Sequence, residues 1–367
     1  MKRPFWLLVP AIILFFWLAL NSMVGDSPTM DEQNHLARGL AFLRTGDPRL
    51  SVEHPPLVNS ISTLPLLTQP EIRLPTDHPS WTRPQGWYEF AELLLWEYND
   101  DVTRMIFLAR LPIVFLTLAL ALVGLHFAER LWGPPAGVVA FLLLLFDPNI
   151  LAHGRYVTTD LGGALFVFLA AFLIWRYWQG PTPKRFFLAG IGLGLAYGSK
   201  LSALVFGPIF ALLAILPLYR NAWTWQSAVR RLFQFVGMNL IALLIVWALF
   251  AFQWGPLEPA SPQVAFLDGV SAPMPTFWTG VEQILLISEG GRPSFLLGET
   301  STTGFDAYFP IAFLVKTPPA TLLLLVFILG WFTFAMRNPV DWQHLGFLLL
   351  PATIYFVVSM QSGLNIG

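Results

Sequence analysis

From Phe5 to Gly25 the chain runs without a single charged side chain. A helix needs about 20 mostly apolar residues to cross the hydrocarbon core of a bilayer, and this stretch is long enough. Lys2 and Arg3 precede it as they would a signal peptide. However, the run is long for an h-region and no A-x-A cleavage pattern follows, so it reads as an uncleaved first span. Further apolar runs fall near 105–128, 134–151, 158–178, 186–199, 201–219, 232–252, 311–335 and 343–360. The expected architecture is therefore an all-α polytopic membrane protein of about nine transmembrane helices in a single domain, 1–367. Lys200 divides 186–219 into two short pieces, the least regular part of the pattern.

Composition agrees. Hydrophobic residues make up 55% and charged residues 12%, with a mean hydropathy of +0.61. Soluble domains carry about 25% charged residues. A net charge of −1 leaves no basic excess to follow a nucleic-acid backbone. With no cysteine, the chain has neither a disulfide nor a thiolate nucleophile. The 15 Trp and 32 Phe suit a chain with long membrane interfaces.

Basic residues of short loops set orientation. With the N-terminus inside, the inner pieces carry Lys2, Arg3, Arg130, Arg176, Lys184, Arg185, Arg220, Arg230, Arg231 and Arg337 against the acids Glu129 and Asp341. The outer side then holds most of the acids. Five outer basics (Arg38, Arg44, Arg49, Arg73 and Arg83) share one long loop, and long loops translocate largely regardless of charge.

Two outer loops, 26–104 and 253–310, are long enough to carry function. In the first, Thr29-Met30-Asp31-Glu32 fits a capping box opening a helix to about Arg44. Its apolar stripe (Leu36, Ala37, Leu40, Ala41, Leu43) predicts a helix lying along the membrane surface. Gly46-Asp47-Pro48 ends it, and Pro55-Pro56 opens a second short helix over Leu57–Leu67.

Ionisable residues in such a chain gather at the outer ends of the spans. Asp31 and His35 stand one helical turn apart, which suggests a carboxylate with a histidine partner at the water–lipid boundary. Capping explains Glu32 better than it explains Asp31. A metal held by Asp31 and His35 lacks further ligands at the usual spacing. A second cluster is Asp147-Pro148-Asn149, His153-Gly154-Arg155-Tyr156 and Asp160; its plain reading is an interfacial salt bridge of Arg155 with Asp160 or Asp147. The bases Arg110, Lys200 and Lys316 stand at outer span ends, either snorkelling to the interface or holding a phosphate presented from the bilayer.

Together these motifs resemble the protein O-mannosyltransferase and lipid A aminoarabinose transferase family of GT-C glycosyltransferases. The resemblance rests on Asp31-Glu32 after the first span, Gly46-Asp47-Pro48, Glu53-His54-Pro55-Pro56-Leu57, Ala152-His153-Gly154-Arg155-Tyr156 with Asp160, Gly298-Glu299, and the run from Tyr308 to Lys316. It implies a GT-C type bundle and transfer of a sugar from a polyprenyl-phosphate donor to a lipid, glycan or protein acceptor. It places the active site at the outer face of a bacterial inner membrane. It implies Asp31 as general base, with Glu32 and Asp160 completing the candidate catalytic set. His54, Arg155, Lys200 and Lys316 become candidate ligands of the donor phosphate. No cofactor is implied; the sequence leaves metal dependence open. Some family members carry Lys where this chain has His54. Relatives also continue beyond a stretch like Ser362–Gly367, so a truncated chain is the expectation. Two other readings compete: a transporter or flippase of a lipid-linked sugar, against which the largely uncharged span centres argue, with Arg110 the main candidate exception, and a non-catalytic envelope scaffold.

Overall fold

The computed structural model describes residues 6, 8–83, 85–215, 224–335, 342–363 and 365. Lys2, Arg3, Arg220, Arg337, Asp341, Leu364, Ile366 and Gly367 lie outside the described residues. The chain is mostly helical. Helix α1 (Leu8–Met23) leads into the first long loop, which carries α2 (Met30–Thr45), α3 (Pro56–Thr63) and α4 (Trp87–Glu92). The helical body follows: α5 (Val102–Trp132), α6 (Pro134–Leu145), the short α7 (Pro148–His153), α8 (Asp160–Gln179), α9 (Pro183–Ser199), α10 (Phe206–Ile215) and α11 (Trp225–Leu249). The second long loop holds an antiparallel pair, β1 (Trp254–Pro256) with β2 (Ser271–Pro273), Trp254 opposite Pro273. Then come α12 (Pro275–Gly290) and a second pair, β3 (Ser294–Leu296) with β4 (Glu299–Ser301). Helices α13 (Tyr308–Lys316), α14 (Pro319–Ala335) and α15 (Trp342–Met360) close the order.

Among the described residues α5, α8 and α11 are long and apolar enough to cross a membrane, and α13 with α14 makes a fourth candidate if counted as one broken span. At 31 residues, α5 extends about 46 Å. Helices α1 and α6, 201–215 and 345–360 are apolar but shorter. The run expected at 311–335 turns by 109° between α13 and α14. Thr317 precedes Pro318-Pro319 and is extended (φ −77°, ψ 131°), because the ring of a following proline disfavours helical backbone. Lys316 therefore ends a nine-residue helix instead of sitting inside a continuous span.

Three apolar cores organise the chain. One joins α1, α5 and α6 through Phe15, Val114 and Phe141. The largest joins α5, α8, α9 and α11 through Phe127, Phe166, Leu193 and Met238. The α9–α11 contact is a glycine seam: a Cβ at Gly190 would meet Ile241 Cβ at 2.8 Å, one at Gly194 would meet Ile245 Cβ at 2.6 Å, and one at Gly198 would collide with Leu249. On another face of α9, Gly192 lies against Leu173 and Ala170 of α8. Small residues at every fourth position let helices approach this closely.

The third core belongs to the first loop. Leu36 and Leu40 of α2, Leu66, Phe90 and Leu94 are fully buried together with Ile106 of α5. The expected boundaries of α2 hold: Glu32 accepts from the Thr29 N–H, and Gly46 caps the end at φ 72°. The cover expected for its apolar stripe differs: protein, not lipid, lies over it. The stripe of α2 packs against α3, α4 and α5, since a loop of this size buries its own apolar face rather than leaving it to lipid. Helix α3 sits so close that a Cβ at Gly39 would overlap Asn59 O.

Candidate active site at the head of helix α8

Glu32 is fully buried. Arg110, on α5, donates from Nε to Oε1 and from Nη2 to Oε2, both at 2.8 Å. The backbone N–H groups of Thr29 and Val157 complete the shell at 2.9 and 3.0 Å. Burial alone would raise the Glu32 carboxyl; the Arg110 guanidinium and the two N–H groups outweigh it and hold it below the ordinary carboxylate range. Arg110 also donates to Asp26 O and Ser27 O. The pair ties α5, the entry to α2 and the segment before α8 into one joint, and leaves Glu32 no exposed oxygen for a substrate. Arg110, the charge that a transporter reading needs, is spent on this joint.

Asp31 faces outward and, among the described residues, has no partner. His35, expected as its companion, turns inward instead. Its Nδ1 lies 3.0 Å from Asn59 Oδ1, and its ring packs edge-on to His54 with centroids 4.6 Å apart. Burial, aided by the Arg38 charge, pushes His35 down to about 4. His54 Nδ1 lies 3.2 Å from Thr159 Oγ1. Burial, the neighbouring His35 and the Arg38, Lys200 and Arg292 charges hold His54 well below the usual imidazole range. Both rings are thus neutral at neutral pH.

Thr159 is followed by Asp160, the first residue of α8. Asp160 Oδ1 accepts from Lys200 Nζ at 2.5 Å, across 40 residues of sequence. Both side chains are partly exposed, 54% and 34%. Lys200 follows directly on α9, and its stem lies against Gly163, one turn into α8. Arg38 donates to Glu53 at 2.7 Å, and Arg292, from the second long loop, stands 3.8 Å from the other Glu53 oxygen. Arg38 Nε and Asn59 Nδ2 are buried without a hydrogen-bond partner.

The structure therefore brings His54, Asp160 and Lys200 together with His35, which the sequence paired with Asp31 instead, and with Glu53 of the Glu53-His54 motif; it adds Arg38 and Arg292, for which the sequence proposed no role in the site. No local signal marks Arg292. Arg38 lies seven residues along α2 from Asp31, so helical spacing alone could have flagged it. Arg155 and Lys316 stand elsewhere. Arg155 pairs with Asp26, not with Asp160 or Asp147, donates to Ser22 O, and stacks 4.7 Å from the Tyr156 ring. Its guanidinium clamps the end of α1 to the segment before α8. Asp147 caps α7 by accepting from the Asn149 and Ile150 N–H groups, and takes a bond from Thr321. Lys316 is exposed at the α13–α14 break, where its carbonyl accepts from Asn149.

The body that carries Asp160 and Lys200 is also where the chain resembles a known family. Residues 102–253 match the model of the dolichyl-phosphate-mannose-protein mannosyltransferase family. The match runs from α5 through α11 and supports reading the chain as a glycosyltransferase of the GT-C type. It contains Arg110, Arg155, Asp160 and Lys200, whereas Asp31, Glu32, His54 and Lys316 lie outside it. No curated protein matches the chain. Its apolar helices, together with this likeness, are those of an integral membrane protein.

Proposed function

We propose that the chain transfers a sugar from a polyprenyl-phosphate donor to an acceptor hydroxyl at the outer face of a bacterial inner membrane. The observation that carries the reading is the meeting of Lys200, Asp160, the neutral His54 and Arg292 at the head of an apolar helix. A lipid-borne phosphate arriving along α8 would emerge there beside two cations. Cations aimed at a leaving phosphate stabilise the charge that develops as the bond to the anomeric carbon breaks. Lys200 offers a point charge, Arg292 a planar fork. His54, where some family members carry Lys, contributes a hydrogen bond without charge.

Asp31 takes the acceptor proton. It is exposed and, among the described residues, unpartnered, as a base that must reach an incoming hydroxyl has to be. Asp160 holds Lys200 in place, and Glu32 fixes the turn from which Asp31 projects. The acceptor oxygen bonds to the anomeric carbon, polyprenyl phosphate departs, and the proton passes to the Asp31 carboxylate.

The test is transfer of a radiolabelled sugar from polyprenyl phosphate to membrane acceptors, in vesicles containing the wild-type chain or its Asp31→Asn variant. Transfer by the wild type alone supports the reading. Equal transfer by both removes Asp31 from the chemistry, and transfer by neither overturns the assignment for this chain.

A further inference from the structure

The far end of α8 holds a second concave site that sugar transfer does not use. Arg176 lies 16 residues along the helix from Asp160, about 24 Å at 1.5 Å per residue. A cavity of about 430 Å³ opens there, lined by Leu173, Arg176, Thr182, Lys184, Arg185 and Leu188. Its walls come from the last turn of α8 and the first turns of α9. Two leucines and three cations share its lining. Arg185 Nη1 donates to Gly180 O at 2.7 Å and reaches Arg176 O at 3.4 Å, which pins its guanidinium to the carbonyls that end α8. A Cβ at Gly180 would stand against that Arg185 nitrogen, so a larger residue would displace the guanidinium from its present seat. Arg176 lies over the Phe172 ring at 5.7 Å. Among the described residues neither Arg176 nor Lys184 has a carboxylate partner. Three positive groups held around one concavity repel each other unless an anion joins them.

We infer that this cavity binds the phosphate headgroup of an anionic phospholipid of the inner leaflet. The chemistry favours a lipid over a free ion. The basic residues of the short loops place this end inside, where anionic lipids attract cations beside spans. Leu173 and Leu188 border the cations with the apolar surface that an acyl chain requires. A second cavity, lined by Trp178, Pro181, Arg230, Arg231 and Gln234, lies at the same turn. The site is independent of the transfer reading, since it lies at the opposite end of α8 from Asp160.

The experiment is native mass spectrometry of the full chain with phosphatidylglycerol or phosphatidylcholine, paired with thermal unfolding in detergent with each lipid or with inorganic phosphate. The wild type is expected to retain phosphatidylglycerol preferentially and to unfold at a higher temperature with it than with phosphatidylcholine. The R176Q/K184Q variant should lose that preference, roughly fivefold in affinity per charge removed at about 1 kcal/mol each. K184E changes an exposed side chain alone; it covers the case in which the double variant does not fold, and should also weaken retention. Equal retention of the two lipids, unchanged retention by the variants, or stabilisation by inorganic phosphate equal to that by phosphatidylglycerol would each overturn the inference.

Discussion

Arg110 and Glu32 meet as a fully buried bidentate pair, 78 residues apart in sequence, joining the first membrane-crossing candidate of the body to the loop that carries Asp31. Removing one partner leaves the other charged and buried without compensation. Arg110→Met is expected to cost about 3–5 kcal/mol, read as a large fall in the unfolding temperature of the purified chain. The Glu32→Gln/Arg110→Met double variant should recover part of the loss. If the single variant unfolds like wild type, the joint does not hold the loop.

Asp31 gives the opposite expectation. It is exposed and, among the described residues, unpartnered, so Asp31→Asn should change stability by no more than about 0.5 kcal/mol. Loss of a general base typically costs about 10²–10⁴ in rate. The informative pair of measurements is unfolding temperature and sugar transfer on one preparation; a variant equally stable and equally active removes Asp31 from the mechanism.

His35 predicts a pH dependence. Its folded-state value is depressed to about 4 from an ordinary 6.5, so the neutral ring contributes stability that is complete above about pH 6.5. That contribution declines as pH falls from 6.5 through 4, because the unfolded chain takes up the proton first. The depressed His54 works in the same direction. Unfolding temperature should be flat above neutrality and drop on acidification, and His35→Asn should make the drop shallower. An equally steep drop in the variant would assign the acid sensitivity to other groups.

Lys200 and Arg292 are expected to act on donor binding. Hydrogen bonds to charged groups are worth about 1.5–3 kcal/mol, so Lys200→Met or Arg292→Gln should raise the KM for the polyprenyl-phosphate sugar roughly tenfold or more. Arg155→Gln, whose guanidinium is already engaged by Asp26 and Ser22 O, should lower stability with little change in that KM. Steady-state kinetics with varied donor separates the two cases.

Local chemistry was legible in the sequence where neighbours in the chain decide it. The capping box at Thr29 and Glu32, the Gly46 stop and the proline start of α3 all follow from residues within one turn. The cover of the α2 stripe is not legible in the sequence, because an apolar stripe does not say what will lie over it. Here Leu66, Phe90 and Ile106, distant in sequence, do so. The meeting of Lys200 with Asp160 and of Arg292 with Glu53 depends on how helices and loops pack, and no spacing rule encodes it. The break at Thr317 could have been read from Pro318-Pro319, but nine-residue α13 is too apolar to stand out from the run that follows it.

The glycine seam of α9 has a mechanical consequence. Gly190, Gly194 and Gly198 each accept one side chain of α11, while Gly192 accepts the α8 backbone at Ala170. A slide of one helical turn, about 5.4 Å, would drive the end of this ladder against side chains that leave no such gap. Helix α9 therefore has one register between its neighbours, and Lys200 follows Gly198 by two residues. The reach of the ammonium to Asp160 is gauged by four missing side chains, so enlarging any of them should detune the head of α8 from deep within the bundle.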